Sequence, residues 1–165
     1  MRAAIALGSN LASRFGSPAA NLHVALDRLS ALGEVTAVSS FYSTDPVGYT
    51  EQPRFTNAAA LLATDLQPLP LLHALLAIEY AMGRVRAADS PPKGPRIIDL
   101  DLLLFEDGNS ESIILAAPEL TLPHPELHRR AFVLEPLAEI APGLFHPTLG
   151  VRVGELWNRL GHPKN

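Results

Sequence analysis

Residues 93–105 read KGPRIIDLDLLLF, with Asp99 and Asp101 two positions apart inside a run of Ile and Leu, directly after a Gly-Pro-Arg turn. Side chains alternate faces along a strand. The spacing therefore puts Ile97, Asp99, Asp101 and Leu103 on one face and Ile98, Leu100, Leu102 and Leu104 on the other. The second face is wholly apolar and belongs on a core. The two aspartates then stand side by side, their Cα atoms roughly 6.6 Å apart at ~3.3 Å per residue. Two carboxylates held together in apolar surroundings repel each other and lose hydration, which raises at least one pKa. A divalent cation removes both problems. Hard oxygen ligands suit Mg²⁺, which takes one or two carboxylates and completes its shell with water and substrate phosphates. The plain alternative is a half-exposed strand with two surface aspartates, since Asp-x-Asp is a common spacing. Arg96 stands three positions before Asp99, and Arg84 and Arg86 lie just upstream. Carboxylates for a metal beside arginines for phosphate oxygens are the makeup of a phosphoryl-transfer site.

The bulk of the chain agrees with an enzyme of ordinary kind. At 165 residues it is expected to form one domain with a proper core. Hydrophobic content of 47% with 18% charged residues excludes general disorder. A net charge of −4 argues against nucleic acid as a partner, and arginines clustered in an acidic chain point to a local anion site instead. With no cysteine there is no disulfide, thiolate ligand or cysteine nucleophile. No stretch reaches the ~18 apolar residues of a membrane span, so the expectation is a cytoplasmic protein with no membrane partner.

The pattern predicts a strand over 3–7 ending at Gly8-Ser9-Asn10. A helix follows, started by Ser17-Pro18, with Leu22, Leu26 and Leu29 on one face and its end near Gly33. Residues 34–42 read as a strand with Val35, Ala37, Ser39 and Phe41 on one face. A breaker-rich segment then carries Asp45-Pro46, Gly48 and Pro53 before a strand over 55–64. A second helix spans 68–82, and residues 83–96 form a loop rich in arginine and proline. After the Asp-bearing strand come a short strand pair near 113–115, a helix over 125–140 and a short closing helix near Trp157. The first six elements run β-α-β-β-α-β, the ferredoxin-like order of an α+β fold.

Several blocks together resemble one family. KGPRIIDLDLLL is similar to the signature of 6-hydroxymethyl-7,8-dihydropterin pyrophosphokinase, an enzyme of folate biosynthesis. AIALGSNL, SSFYSTDPVG, QPRFTNAA, IEYAMGRVR and LPHPELHRRAFVLEPL follow the same family's order and spacing over residues 4 to about 142. The resemblance implies pyrophosphate transfer from ATP to the hydroxymethyl group of a reduced pterin, with release of AMP. It implies an α/β/α sandwich on a ferredoxin-like core, and Asp99 and Asp101 as ligands of two Mg²⁺ ions. Arg86 and Arg96 match the triphosphate arginines, with Arg84 in the same block, and these two arginines with the two aspartates make the catalytic set. His124 and Arg130 match further ATP contacts, and Glu79 and Thr121 line the nucleotide site. Phe55 and Phe132 match the aromatics that sandwich the pterin, Asn57 its edge reader, and the turn Thr44, Pro46, Val47, Gly48 adds backbone contacts, with Asp99 reaching the same substrate. The partners implied are two small molecules, ATP and the pterin, acting on a monomer.

Two departures stand out. Lys93 replaces the aromatic that some members carry before Gly-Pro-Arg, and Phe55 replaces a tyrosine. Loops 86–96 and 44–53 are the candidate lids.

Read without the resemblance, Phe55 and Phe132 are ordinary core residues and the arginines are solvated. His124 and His128 are four apart but lack a third zinc ligand and are interrupted by Pro125. No G-x-x-x-x-G-K-[ST] is present, which sets aside a Walker-type kinase. The alternative function is a noncatalytic ferredoxin-like nucleotide-binding module. An RNA-binding version would need paired aromatics on its central strands and a basic surface.

Overall fold

The computed structural model describes residues 1–48, 50–84 and 94–161. The protein mixes helices and sheet. Its main sheet contains β1 (Arg2–Ser9), β2 (Glu34–Val38), β3 (Tyr42–Thr44), β4 (Phe55–Ala63) and β5 (Asp99–Glu106), ordered β2-β4-β1-β5, with β3 also on β4. All of these pairings are antiparallel.

Helix α1 (Pro18–Leu29) starts where the capping residues predict. Ser17 Oγ accepts from Ala20 N at 3.2 Å, and Pro18 occupies the first turn, where its missing N–H costs nothing. The helix ends at Leu29, four residues before Gly33. That glycine is needed for a close approach, because a Cβ there would meet Ala63 O at 2.0 Å. Helix α2 (Pro68–Ala81) buries Leu71, Leu75 and Ile78. Both helices cover the sheet face that carries Ile5, Leu7, Ala60, Leu62, Leu100 and Leu102.

The opposite face holds Ala4, Ala59, Leu61, Leu103 and Leu104 beneath α3 (Ala131–Ile140) and α4 (Val153–Arg159). Two bulges correct the simple alternation expected from sequence. The register of β1 on β5 shifts between Ala4 and Ile5, so Leu103 is the extra residue. Leu103 and Leu104 therefore both enter the second cluster, and Phe105 falls to the first. Ile97, expected beside the aspartates, precedes the strand and packs against the first cluster instead. A second shift, between Val35 and Ala37, leaves Val35 on the first cluster and Ala37 on the second.

The short pair β6 (Leu115–Ala116) and β7 (Thr121–Leu122) and the hairpin β8 (Phe145–His146) with β9 (Val151–Arg152) complete the strands described. The single helix expected over 125–140 is split. A 3-10 turn, Leu127–Arg129, ends at Arg130, whose extended backbone (φ −109°, ψ 104°) starts α3 afresh. The turn's bonds run three residues back, as in Leu127 N to His124 O at 3.2 Å. No described helix is long and apolar enough to cross a membrane.

Candidate active site

Between the end of the sheet and the start of α3 lies a small cleft lined by Ala6, Gly8, Phe55, Asn57, Asp99, Asp101 and Phe132 among others. Its floor follows from strand register. Gly8 pairs with Asp99 on one side and Asn57 on the other, and Ala6 pairs with Asp101. Small residues opposite the aspartates leave room above the sheet. At Gly8 the requirement is strict, since a Cβ would come within 2.8 Å of Asn57 Oδ1. The amide of Asn57 donates from Nδ2 to Thr44 Oγ1, which sets its orientation.

The two aspartates differ in their surroundings. Asp99 is held at both oxygens: Arg84 Nη1 donates to Oδ1 at 2.8 Å and Arg96 Nη1 to Oδ2 at 3.2 Å. Arg84 Nη1 also lies 3.0 Å from Glu79 Oε2 and 3.2 Å from Ile98 O. Glu79 is only 3% exposed, and its Oε2 accepts in addition from Leu100 N at 2.7 Å. It braces Arg84 from beneath the strand that carries the aspartates. Arg96 has its guanidinium 5.1 Å from the centre of the Phe55 ring, a cation–π arrangement joining the arginine cluster to the aromatic side of the cleft.

The carboxyl of Asp101 is pushed up from 3.8 to about 7. Burial is the main cause, followed by the charges of Asp99 and Glu79, with Arg130 and Arg84 pulling the other way. A carboxyl raised on folding gives stability that is complete below about 3.8 and lost as pH rises through about 7. In EDTA the melting temperature is thus expected to fall across that interval relative to Asp101→Asn; parallel curves for the two proteins would sink the assigned burial. Hard oxygens on two adjacent carboxylates, one of them costly to ionise alone, fit a divalent cation such as Mg²⁺.

The bulged Leu103 reaches the site as well, because its carbonyl accepts from His124 N at 2.9 Å and anchors the turn that follows. His124 Nδ1 accepts from Glu126 N at 3.1 Å, and burial, then Arg130, lowers its pKa. The neutral ring so favoured carries its proton on Nε2, as a hydrogen-bond donor. Arg130 stands 5.7 Å from the Phe132 ring centre.

Of the residues expected from sequence, Asp99, Asp101, Phe55, Asn57 and Phe132 share one cleft, with Arg84 and Arg96 on its carboxylate. Thr44 is buried against Asn57, while Pro46 is half-buried and Val47 and Gly48 are exposed in the turn beyond it. Thr121 is exposed on β7. Arg86 and Lys93 lie outside the described residues, as does most of the 86–96 loop. Sequence reading did not identify Gly8 as part of the site. The Gly-Ser-Asn end of β1 was the available signal, and it reads equally well as a plain turn.

The chain is similar to known proteins along most of its length. The family model for 7,8-dihydro-6-hydroxymethylpterin-pyrophosphokinase (HPPK) matches residues 4–142. A 2-amino-4-hydroxy-6-hydroxymethyldihydropteridine pyrophosphokinase of Pseudomonas aeruginosa is 47% identical over 148 residues, covering 88% of this chain and 84% of the relative. The Bacillus subtilis protein of the same name is 45% identical over 136 residues, covering 82% and 75%. The wild-type HPPK-DHPS of Plasmodium falciparum, solved with STZ-DHP, superposes with a TM-score of 0.65 at 17% identity. That match covers 96% of this chain and 41% of the longer one, and it speaks for the fold alone. With a family model across most of its length and near-half identity to relatives of its own size, this chain belongs to the 7,8-dihydro-6-hydroxymethylpterin-pyrophosphokinase family.

Proposed function

We propose that this protein transfers pyrophosphate from ATP to the hydroxymethyl group of 6-hydroxymethyl-7,8-dihydropterin, releasing AMP. The observation that carries this reading is the single cleft in which a carboxylate pair meets two aromatic rings and an asparagine, with arginines on the carboxylate. Carboxylates and arginines suit a polyphosphate, and rings with an amide suit a flat heterocycle.

The substrate hydroxyl oxygen forms a bond to the β-phosphorus as the bond from that phosphorus to the α-phosphate oxygen breaks; AMP leaves with that oxygen, and the hydroxyl proton passes to solvent. Asp99 and Asp101 would hold Mg²⁺, two ions in our reading. When bound, the cation neutralises phosphate charge and favours in-line attack. Arg96, Arg84 and Arg86 bind the triphosphate, each guanidinium presenting a fixed fork of donors. His124, through Nε2–H, and Arg130 add donors, and Thr121 borders the nucleotide. Glu79 serves the nucleotide from below by holding Arg84 in place. Phe55 and Phe132 stack on the pterin, Asn57 and the turn from Thr44 to Gly48 read its edge, and Asp99 lies within reach of both substrates.

The sheet order and the helices on its two faces support a ferredoxin-like core elaborated into an α/β/α sandwich. We take the chain to be one domain, acting as a cytoplasmic monomer.

The deciding assay supplies ATP, Mg²⁺ and the reduced pterin and identifies the nucleotide formed. AMP that requires the pterin and vanishes with EDTA is the expected result. ADP would make the enzyme an ordinary kinase, and ATP binding without turnover would favour a noncatalytic module.

A further inference from the structure

Asn10, just past the end of β1, has no part in the chemistry above, yet it is 3% exposed and fully engaged. Asn10 Oδ1 accepts from Arg96 N at 2.8 Å, and Asn10 N donates to Arg96 O at 3.1 Å. The other end of the same amide faces away from Arg96. Nδ2 donates to Gln52 Oε1 at 2.8 Å and to Pro53 O at 3.1 Å. One buried side chain thus spends its acceptor on the segment before the Asp strand and both its donors on the segment that leads into β4.

Those two segments carry opposite sides of the cleft. Arg96 reaches Asp99, and Phe55 lies two residues beyond Pro53. The two side chains also meet directly, the guanidinium of Arg96 lying over the Phe55 ring. A second buried asparagine supports the first: Asn21, fully buried on α1, donates to Ile97 O at 3.2 Å and to Leu11 O at 2.8 Å. The backbone around Arg96 is therefore held from two directions, and only Asn10 also holds the β4 side.

We propose that Asn10 is a positioning residue which locks the phosphate-side arginine, Arg96, and the pterin-side ring, Phe55, to one point, so that the two substrate sites keep a common geometry. This rests on the site assignment made above. The amide is required because no other side chain of this size offers an acceptor at one end and two donors at the other. Aspartate retains the acceptor for Arg96 and loses both donors, and alanine loses everything.

The test is steady-state kinetics with ATP, Mg²⁺ and the reduced pterin on Asn10→Ala, Asn10→Asp and Gln52→Ala, with melting temperatures recorded. Displacements well under an ångström to about one ångström at such a site change kinetic constants by roughly 10- to 100-fold. Asn10→Ala is expected to raise KM for both substrates on that scale. Asn10→Asp should raise the pterin KM and leave the ATP KM near wild type, and Gln52→Ala should do the same more weakly. A brace that serves folding alone would lower the melting temperature with both KM values unmoved, and that result overturns the proposal. If Asn10→Ala does not fold, Asn10→Asp decides on the same two constants, and equal changes in both overturn it. Arg96→Ala and Phe55→Ala run alongside as controls. Should Arg96→Ala spare the ATP KM and Phe55→Ala the pterin KM, the site assignment itself has failed. Effective controls with silent Asn10 variants reject the positioning role alone.

Discussion

Asp99→Ala and Asp101→Ala each reduce turnover by about 10³-fold or more, the scale on which single charged groups contribute to phosphoryl transfer, and only the first is expected to lower stability. Asp99 is the partner of Arg84 and Arg96, whose side chains are only 13% and 17% exposed. Its removal leaves two half-buried guanidinium groups without that carboxylate, and a charge-assisted hydrogen bond of this kind is worth about 1.5–3 kcal/mol. Asp99→Ala should therefore melt earlier than wild type. Asp101 is the reverse case. Its charge is disfavoured by burial, by Asp99 and by Glu79, so at pH above about 7 its ionised form is a cost to the metal-free fold. Asp101→Ala removes that cost and is expected to melt no earlier than wild type in EDTA. Mg²⁺ should raise the wild-type melting temperature and leave both variants unchanged. The checks are a single-turnover assay and thermal denaturation with and without Mg²⁺. Normal turnover in both variants, or a full Mg²⁺ shift in either, would remove these residues from the metal site.

Phe132→Ala weakens pterin binding by about 10- to 100-fold, the equivalent of the roughly 1.5–3 kcal/mol gained by burying such a ring, while binding of an ATP analogue changes little. The asymmetry follows from placement. Phe132 lies in the first turn of α3, half-buried, and lines the cleft together with Phe55 and Asn57. The buried residues of the same helix, Val133, Leu134 and Leu137, hold it on the sheet, so losing the Phe132 ring empties the cleft without releasing the helix. Arg130 stands 5.7 Å from the centre of that ring, so a minor loss on the ATP side is compatible with the assignment. Calorimetry with the pterin and with a non-hydrolysable ATP analogue separates the two. Equal losses for both ligands would mean that Phe132 supports the fold of the site and does not stack on the pterin.

Much of this site was legible in the chain because it is written in local terms. The period-two pattern of residues 97–104 put Asp99 and Asp101 on one face, and the structure keeps them there, opposite Gly8 and Ala6. Ser17-Pro18 announced the start of α1 through capping chemistry that needs no partner beyond the next turn. The aromatics and arginines around the cleft were found through the blocks they share with a family, and nothing in local periodicity distinguishes Phe55 or Phe132 from core residues.

Where reading by pattern went astray, the cause was long-range pairing. Alternation predicted Leu104 beside Leu102, but β5 must match β1 over its whole length, and the extra residue at Leu103 is absorbed as a bulge. That bulge also frees the carbonyl that anchors His124. Likewise the helix expected over 125–140 breaks at Arg130, where the chain turns to set Phe132 at the cleft.

By itself, then, the order of residues determined which strand carries the acids, where α1 begins and which family's chemistry the chain shares, since periodicity, capping and motif spacing are properties of neighbours in sequence. Only the tertiary structure decided that Arg84 and Arg96 grip opposite oxygens of Asp99, that Glu79 braces Arg84, and that Asn10 joins partners 42 and 86 residues away. Such contacts form when distant segments are brought together by burying two apolar faces of one sheet, and a buried amide or carboxylate must then be satisfied by whatever polar groups that packing delivers.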